Sequence, residues 1–448
     1  MNWKKGLVTI PLAATLAIPS LGLNVYADDH VETPSVDTEA VELRSSLDHL
    51  LSEHVYLAVE TMRKGAEGAA DFDQAAGALN QNTEDLSAAI ASVYGEEAGD
   101  EFQEMWSSHI GFFVDYVKAT GAEDEAAKQE ALDNLGTYKK EFSQFLEDAT
   151  GERLEADALA EGLQMHVDQL VGAFDAFVAG DYDKAYEYER EAMSHMYMVS
   201  KGLSDAMSSQ FPEKFNDTSA VTPAADLRSD LSYLLSEHAG LAVVAMQNGI
   251  DGSEDFEASA EALSNNTEEL SNTIGSVYGE EAGEQFQEMW SDHIGHFVSY
   301  VKATGAEDEQ AKEQALTALE GYRAEFSSFI ETATEGKVDA DVMSEGLQMH
   351  ANQLIGAFDS YAMEDYEASY EEIRVAYEHM FNPGKALSGA ISAQFPDKFS
   401  QEMPSDMPKT GLAPQDTGMN STTWLAIGGM FALITALVFH FRRQQQEQ

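Results

Sequence analysis

Residues 43–215 and 227–399 are one unit written twice. Leu50-Leu51-Ser52-Glu53-His54 returns as Leu234-Leu235-Ser236-Glu237-His238, a shift of 184 positions, and the same shift carries Val93-Tyr94-Gly95-Glu96-Glu97-Ala98-Gly99 onto Val277 to Gly283. No insertion or deletion interrupts the match, and more than half of the positions are identical. A segment of this length can hold its own core, so the chain is restricted to two similar domains in tandem. The duplication also supplies an internal comparison, because drift between the copies separates replaceable residues from retained ones.

Within each copy the apolar residues recur with a helical period. Leu43, Leu47, Leu50, Leu51, Leu57 and Met62 form one stripe, and Phe102, Met105, Trp106, Phe113 and Tyr116 another. Leu159, Leu163, Leu170, Phe174 and Phe177 form a third, and Ala185, Ala192, Val199, Leu203 and Ala206 a weaker fourth. Further helical patterns run through about 72–93 and 124–149, with breaks at Gly65 to Gly68, Gly95, Gly121, Gly151 and Gly180. No stretch alternates as a strand does. The expected fold is all-α: two tandem homologous helical bundles of about six helices, three hairpins, each.

Both ends of the chain read as addresses. Residues 1–27 carry Lys4 and Lys5, an apolar run and Val25-Tyr26-Ala27, which is the pattern of a secretory signal peptide. Residues 28–42 read as an acidic leader, 216–226 as a linker and 400–423 as a Pro-containing stalk. Residues 424–441 are apolar and just long enough to span a bilayer, and the tail 442–448 begins with Arg442 and Arg443, which belong on the cytoplasmic side. Upstream lies Met407-Pro408-Lys409-Thr410-Gly411. This tail resembles the sorting signal of Gram-positive cell-wall proteins, with Met407 where Leu is usual. The resemblance implies that a sortase cuts between Thr410 and Gly411 and joins the chain to peptidoglycan. It implies an extracellular, wall-anchored protein that meets the membrane only through its C-terminal anchor before processing; a retained membrane anchor is the alternative.

The charge narrows the partners. Eighty Asp and Glu against 25 Lys and Arg leave a net charge of −55, which makes nucleic acid a poor partner. The acidic coat fits a solvated, soluble surface, or one that concentrates cations. There is no cysteine, so disulfides, thiolate nucleophiles and cysteine-ligated metals are excluded.

Four histidines recur in both copies: His54, His109, His166 and His195, matched by His238, His293, His350 and His379. Others drift, as where His49 becomes Tyr233. Helical rise brings His166 and His195 level on neighbouring helices, sets His54 beside Asn82 and Glu84, and sets His109 beside Tyr138. The counterparts are Asn266, Glu268 and Tyr322. The expectation is a polar layer through an apolar bundle, in which the imidazoles either bond to buried polar groups or converge on a metal ion. Neutral imidazole suits copper, zinc, iron or nickel, and the recurring Met62, Met105, Met165 and Met196 add thioethers that suit copper. A fainter theme places one histidine on the first helix of each hairpin, before an acidic turn: His54 before Asp71, His109 before Glu123 and His166 before Asp181.

Enzyme templates are few. His-Glu-x-x-His, Glu-x-x-His, a Gly-rich phosphate loop and Gly-x-Ser-x-Gly are all missing. The Tyr-Gly-Glu-Glu-Ala-Gly segment, Leu163-Gln164-Met165-His166 and the Gln210-Phe211-Pro212-Glu213-Lys214-Phe215 ending resemble secreted Bacillus-type helical proteins labelled copper amine oxidase. That resemblance implies a link to copper. The Asn-Tyr and His-x-His motifs of copper amine oxidases do not occur in this chain. The leading expectation is therefore a wall-displayed protein whose domains each bind one metal ion, copper before zinc, iron or haem. A surface spacer or adhesin with structural histidines and a copper-dependent oxidase are the alternatives.

Overall fold

The computed structural model describes residues 34–400. The signal peptide, sorting motif and apolar segment read at the two ends lie outside the described residues. Within them every regular element is a helix, and none is long and apolar enough to cross a membrane. The first half comprises α1 (Glu39–Glu67), α2 (Phe72–Tyr94), α3 (Glu96–Gly121), α4 (Glu125–Ala149), α5 (Ala156–Val178) and α6 (Tyr182–Gln210). A short 3-10 turn, Pro212–Phe215, follows. The second half repeats the order with α7 (Pro223–Asp251), α8 (Phe256–Tyr278), α9 (Glu280–Gly305), α10 (Glu309–Ala333) and α11 (Ala340–Ala362). Its sixth helix is divided into α12 (Tyr366–His379) and α13 (Phe381–Gln394), and Pro396–Phe399 forms a final turn, α14.

Local chemistry sets these boundaries. Thr38 and Thr222 cap α1 and α7 by accepting from Val41 N and Ala225 N, and Pro223 begins α7 at a position that needs no N–H. Helix α1 therefore starts at Glu39, inside the stretch read as a leader, and Val36 before it is buried. The retained Tyr-Gly-Glu-Glu-Ala-Gly segment is the α2–α3 corner. Gly95 turns the chain with φ at 97°, and a Cβ on Gly99 would lie 2.7 Å from Ala91 Cβ and 2.9 Å from the Ser87 carbonyl. The sixth helix is continuous in the first half and broken in the second because Pro383 replaces Val199 and supplies no N–H to the ladder. Beside it, Gly384 lets α13 approach α7, where a Cβ would sit 2.6 Å from Ser232 Oγ.

The halves meet along α1 and α7, and α1 is buried along nearly its whole length. The contacts are reciprocal. Arg190 on α6 donates to both carboxylate oxygens of Glu237 at 3.0 and 2.9 Å and to Glu269 at 3.0 Å. Its counterpart Arg374 on α12 donates to Glu53 at 3.1 and 2.9 Å and to Asp85 at 2.8 Å. Arg44 likewise reaches Asp226 and the Ala220 carbonyl, while Arg228 reaches Glu42 and the Val36 carbonyl. These bonds pin residues 218–222 against α1, so the linker is part of the packed structure.

Candidate metal centre

In each half the odd-numbered helix of every hairpin delivers one imidazole to the bundle centre. His54 from α1, His109 from α3 and His166 from α5 have ligand nitrogens within 4.8 Å of one another, as do His238, His293 and His350 from α7, α9 and α11. Ring centroids stand 5.3 Å apart for His54–His109, 5.9 Å for His54–His166 and 6.5 Å for His109–His166. The second half reproduces the first two spacings at 5.3 and 5.9 Å. The threefold theme of the hairpins is thus the geometry of the site.

The fourth histidine plays another part. His195 Nε2 donates to the Gly162 carbonyl at 3.0 Å, and His379 Nε2 to the Gly346 carbonyl at 3.0 Å. Each bond braces the sixth helix against the fifth, one turn before His166 or His350. His195 is beside His166, as its helical level requires, but its ring is tied to backbone and it stands outside the group of three.

The expected polar layer divides in the same way. Tyr138 stacks on His109 at 4.9 Å and Tyr322 on His293 at 4.8 Å, which matches their helical level. Asn82 turns instead to the inter-half network, donating to the Leu50 carbonyl and to Glu53 Oε2 at 2.8 Å, and Asn266 does the same to Leu234 and Glu237. Glu84 and Glu268 are exposed and lie outside the layer. Asn82 and Glu84 were placed with His54 by helical level alone, and level does not fix the face. Residues not singled out for the site complete its wall. Trp106 lies 4.8 Å from His54 and 4.7 Å from His109, and Trp290 repeats this against His238 and His293. The signal for Trp106 was present in the retained Phe102 to Trp106 block, whose apolar character pointed only to core.

Burial fixes the protonation state. It pushes His54 and His166 well below the ordinary imidazole range, with the neighbouring rings adding to the shift, and brings His109 down to about 3. His238 and His350 follow the same direction and His293 is again near 3. All six rings are therefore neutral across the physiological range, and each carries one lone pair.

Except at His238, those lone pairs accept no hydrogen bond from the protein. Both ring nitrogens of His54, His166 and His350 are buried and unbonded, as are Nδ1 of His109 and His293 and the hydroxyls of Tyr138 and Tyr322. His238 Nδ1 accepts a long bond from Trp290 Nε1 at 3.3 Å, leaving Nε2 unbonded. Buried polar atoms are normally satisfied, so a cluster of orphans marks a missing partner. Three imidazoles ligating at about 2.0–2.1 Å would bring their nitrogens to roughly 3.3 Å apart in a tetrahedral site. The observed spacing, within 4.8 Å, closes to this only by inward movement of the rings. The donor set fits a metal ion with one open position. Compared with protein-family models, curated proteins and solved structures, the chain finds no match, and the site stands on its own geometry.

Proposed function

We propose that each half holds one copper ion, through His54, His109 and His166 in the first and His238, His293 and His350 in the second, in a protein displayed at a Gram-positive cell wall. The observation that carries this reading is the cluster of neutral, buried imidazole nitrogens without partners, built twice. Three neutral nitrogens without a carboxylate or thiolate suit a borderline metal, and the divalent series peaks at copper. Met62 lines the same cavity as His54 and His109, and Met246 lines that of His238 and His293, so a soft thioether is at hand in both halves. Met165 and Met349 are exposed and take no part. A bound copper ion would supply Lewis acidity and one-electron chemistry at an open fourth position. The protein's own residues hold the rings neutral, wall them with Trp106 and Tyr138 or their counterparts, and keep bulk water away. The secretory and sorting signals at the two ends support the extracellular placement, which a sortase and peptidoglycan would make permanent.

The test is metal content after dialysis against copper, with excess magnesium present to sweep weakly held cations from the acidic coat. Two copper ions per chain are expected, one in His166→Ala and none in His166→Ala with His350→Ala. His195→Ala should retain both. A folded chain that takes up no copper, or that loses copper on His195→Ala but keeps it on His166→Ala, overturns the reading and leaves a structural role for the rings.

A further inference from the structure

The two metal centres are walled alike but open differently. Beside His238 and His293, between α7, α8 and α9, lies a cleft of about 270 Å³. Beside His54 and His109 the described cavity is about 20 Å³, room for a single water. Of the 18 residues lining the larger cleft, 16 are identical at the position 184 earlier; the exceptions are Ala245 for Thr61 and Ser264 for Asn80. Asn80 is exposed, whereas Thr61 is 5% exposed, lines the small cavity and is held in place by donating to the Leu57 carbonyl at 2.7 Å. Thr61 against Ala245 is thus the one difference between the two linings that does not lie at the exposed rim.

From this we infer that the second half binds an exogenous small apolar monocarboxylate, its carboxylate on the metal held by His238, His293 and His350 and its apolar body in the cleft. The inference rests on the metal reading and deepens it. Three features select the ligand. The walls are apolar, through Met246, Phe256, Leu263, Phe297 and Val301, and the volume exceeds the roughly 150 Å³ that accepts benzene in a protein interior, so a phenyl ring with a short chain fits. In a chain with 80 Asp and Glu, no acidic residue lines the cleft, and Lys302 at its mouth is the one charged group. A divalent ion on three neutral imidazoles also lacks a counter-charge in apolar surroundings, which an anionic head supplies. The net charge of −55 opposes anions, and Lys302 is the residue of the lining that counters it. His238 and His293 both line the cleft, so a metal ion on the triad would border the space that takes the ligand.

The experiment titrates phenylacetate into the full chain with copper content measured first, following the Cu(II) spin-resonance signal and the bound stoichiometry by calorimetry. One phenylacetate per chain is expected, perturbing one of two copper signals, while phenethylammonium, with a similar body and opposite charge, does not bind. Ala245→Thr, which narrows the cleft with the residue the first half already tolerates, should weaken phenylacetate binding and keep both copper ions. Copper at both sites without phenylacetate binding, equal binding to the copper-free chain, or binding indifferent to Ala245→Thr overturns the cleft assignment alone. Failure to take up copper removes the metal reading and the assignment with it.

Discussion

At position 54 and its counterpart 238 the residue is histidine in both halves, and the Trp, Phe and Tyr rings around it are also the same. A few turns along the same pair of helices the copies part company. Asp48, Glu60, Arg63 and Lys64 on α1 stand where Ser232, Val244, Gln247 and Asn248 stand on α7, and all of these are buried where the halves meet. Glu189 on α6 similarly stands where Ile373 stands on α12, and both are buried. The triad must satisfy one geometry in each half separately, so both copies keep it. The interface must satisfy the two copies jointly. One half can then carry the charges that the other accepts: Arg63 donates to Glu60, Asn248 and Asp255. Other pairs are kept in both directions, Arg190–Glu237 with Arg374–Glu53 and Arg44–Asp226 with Arg228–Glu42.

The largest effect that separates these regions is acid sensitivity. The six triad imidazoles have folded pKa values below their unfolded value of about 6.5, so above that pH they contribute no proton-linked cost. As pH falls through and below 6.5 the unfolded chain takes up protons that the folded chain refuses. Stability is lost at up to about 1.4 kcal/mol per pH unit for each ring, and six rings together exceed any single substitution. Denaturant midpoints of the metal-free chain should drop steeply between roughly pH 6.5 and 4.5. Copper loading should move the loss to lower pH, since protons must then compete with the ion. A flat profile in that window would mean the rings are not held neutral.

Next in size are the reciprocal arginines. Burial alone would raise Glu53, but His49 and Arg374 override it and bring it down to about 2. Arg374→Ala strips that buried carboxylate of its arginine and leaves it only Asn82 and His49, at a cost of about 3 kcal/mol. Arg190→Ala should cost a similar amount through Glu237, and unequal losses by urea titration would break the reciprocity.

A smaller gain is expected from Glu189→Ile, which copies the second half. Burial, then the neighbouring Glu60, pushes Glu189 up to about 8, against the pull of Arg63. A folded pKa above the unfolded one means stability present below about pH 4.5 is lost as pH rises toward 8. The substitution should therefore stabilise at pH 7 by about 1–3 kcal/mol and flatten the slope in that window, readable in thermal midpoints. Smallest of all, Tyr138→Phe removes a buried hydroxyl without a partner and should change stability by less than about 1 kcal/mol. A weakened copper affinity in that variant would assign the hydroxyl to the metal's open position.

Much of this was legible before any coordinates. The 3.6-residue stripes and the glycine breaks gave the helices, because each helix buries one face against its neighbours. Histidines retained at fixed depths pointed to the site as a set of four in each half; the fainter theme of one histidine on the first helix of each hairpin is the signal that separates His54, His109 and His166 from His195. What could not be read was direction around the helix axis. Asn82 and His54 share a level but face different partners, and Glu84 shares it while pointing to solvent. The fusion of the halves was equally hidden, since Arg190 and Arg374 resemble surface arginines until Glu237 and Glu53 are placed opposite them. The α12–α13 break departs from the expected six helices although Pro383 signals it, and its consequence for packing depends on Gly384 meeting α7.

A chain with a net charge of −55 can collect cations on its surface carboxylates, so the nature of the ligands is more telling than the number of ions. X-ray absorption at the copper edge of the loaded chain reads them directly. Three imidazole nitrogens at about 2.0 Å per copper, in both halves, are the expected result. An oxygen shell with one imidazole or none would place the copper on the acidic coat and leave the buried triads as structure alone.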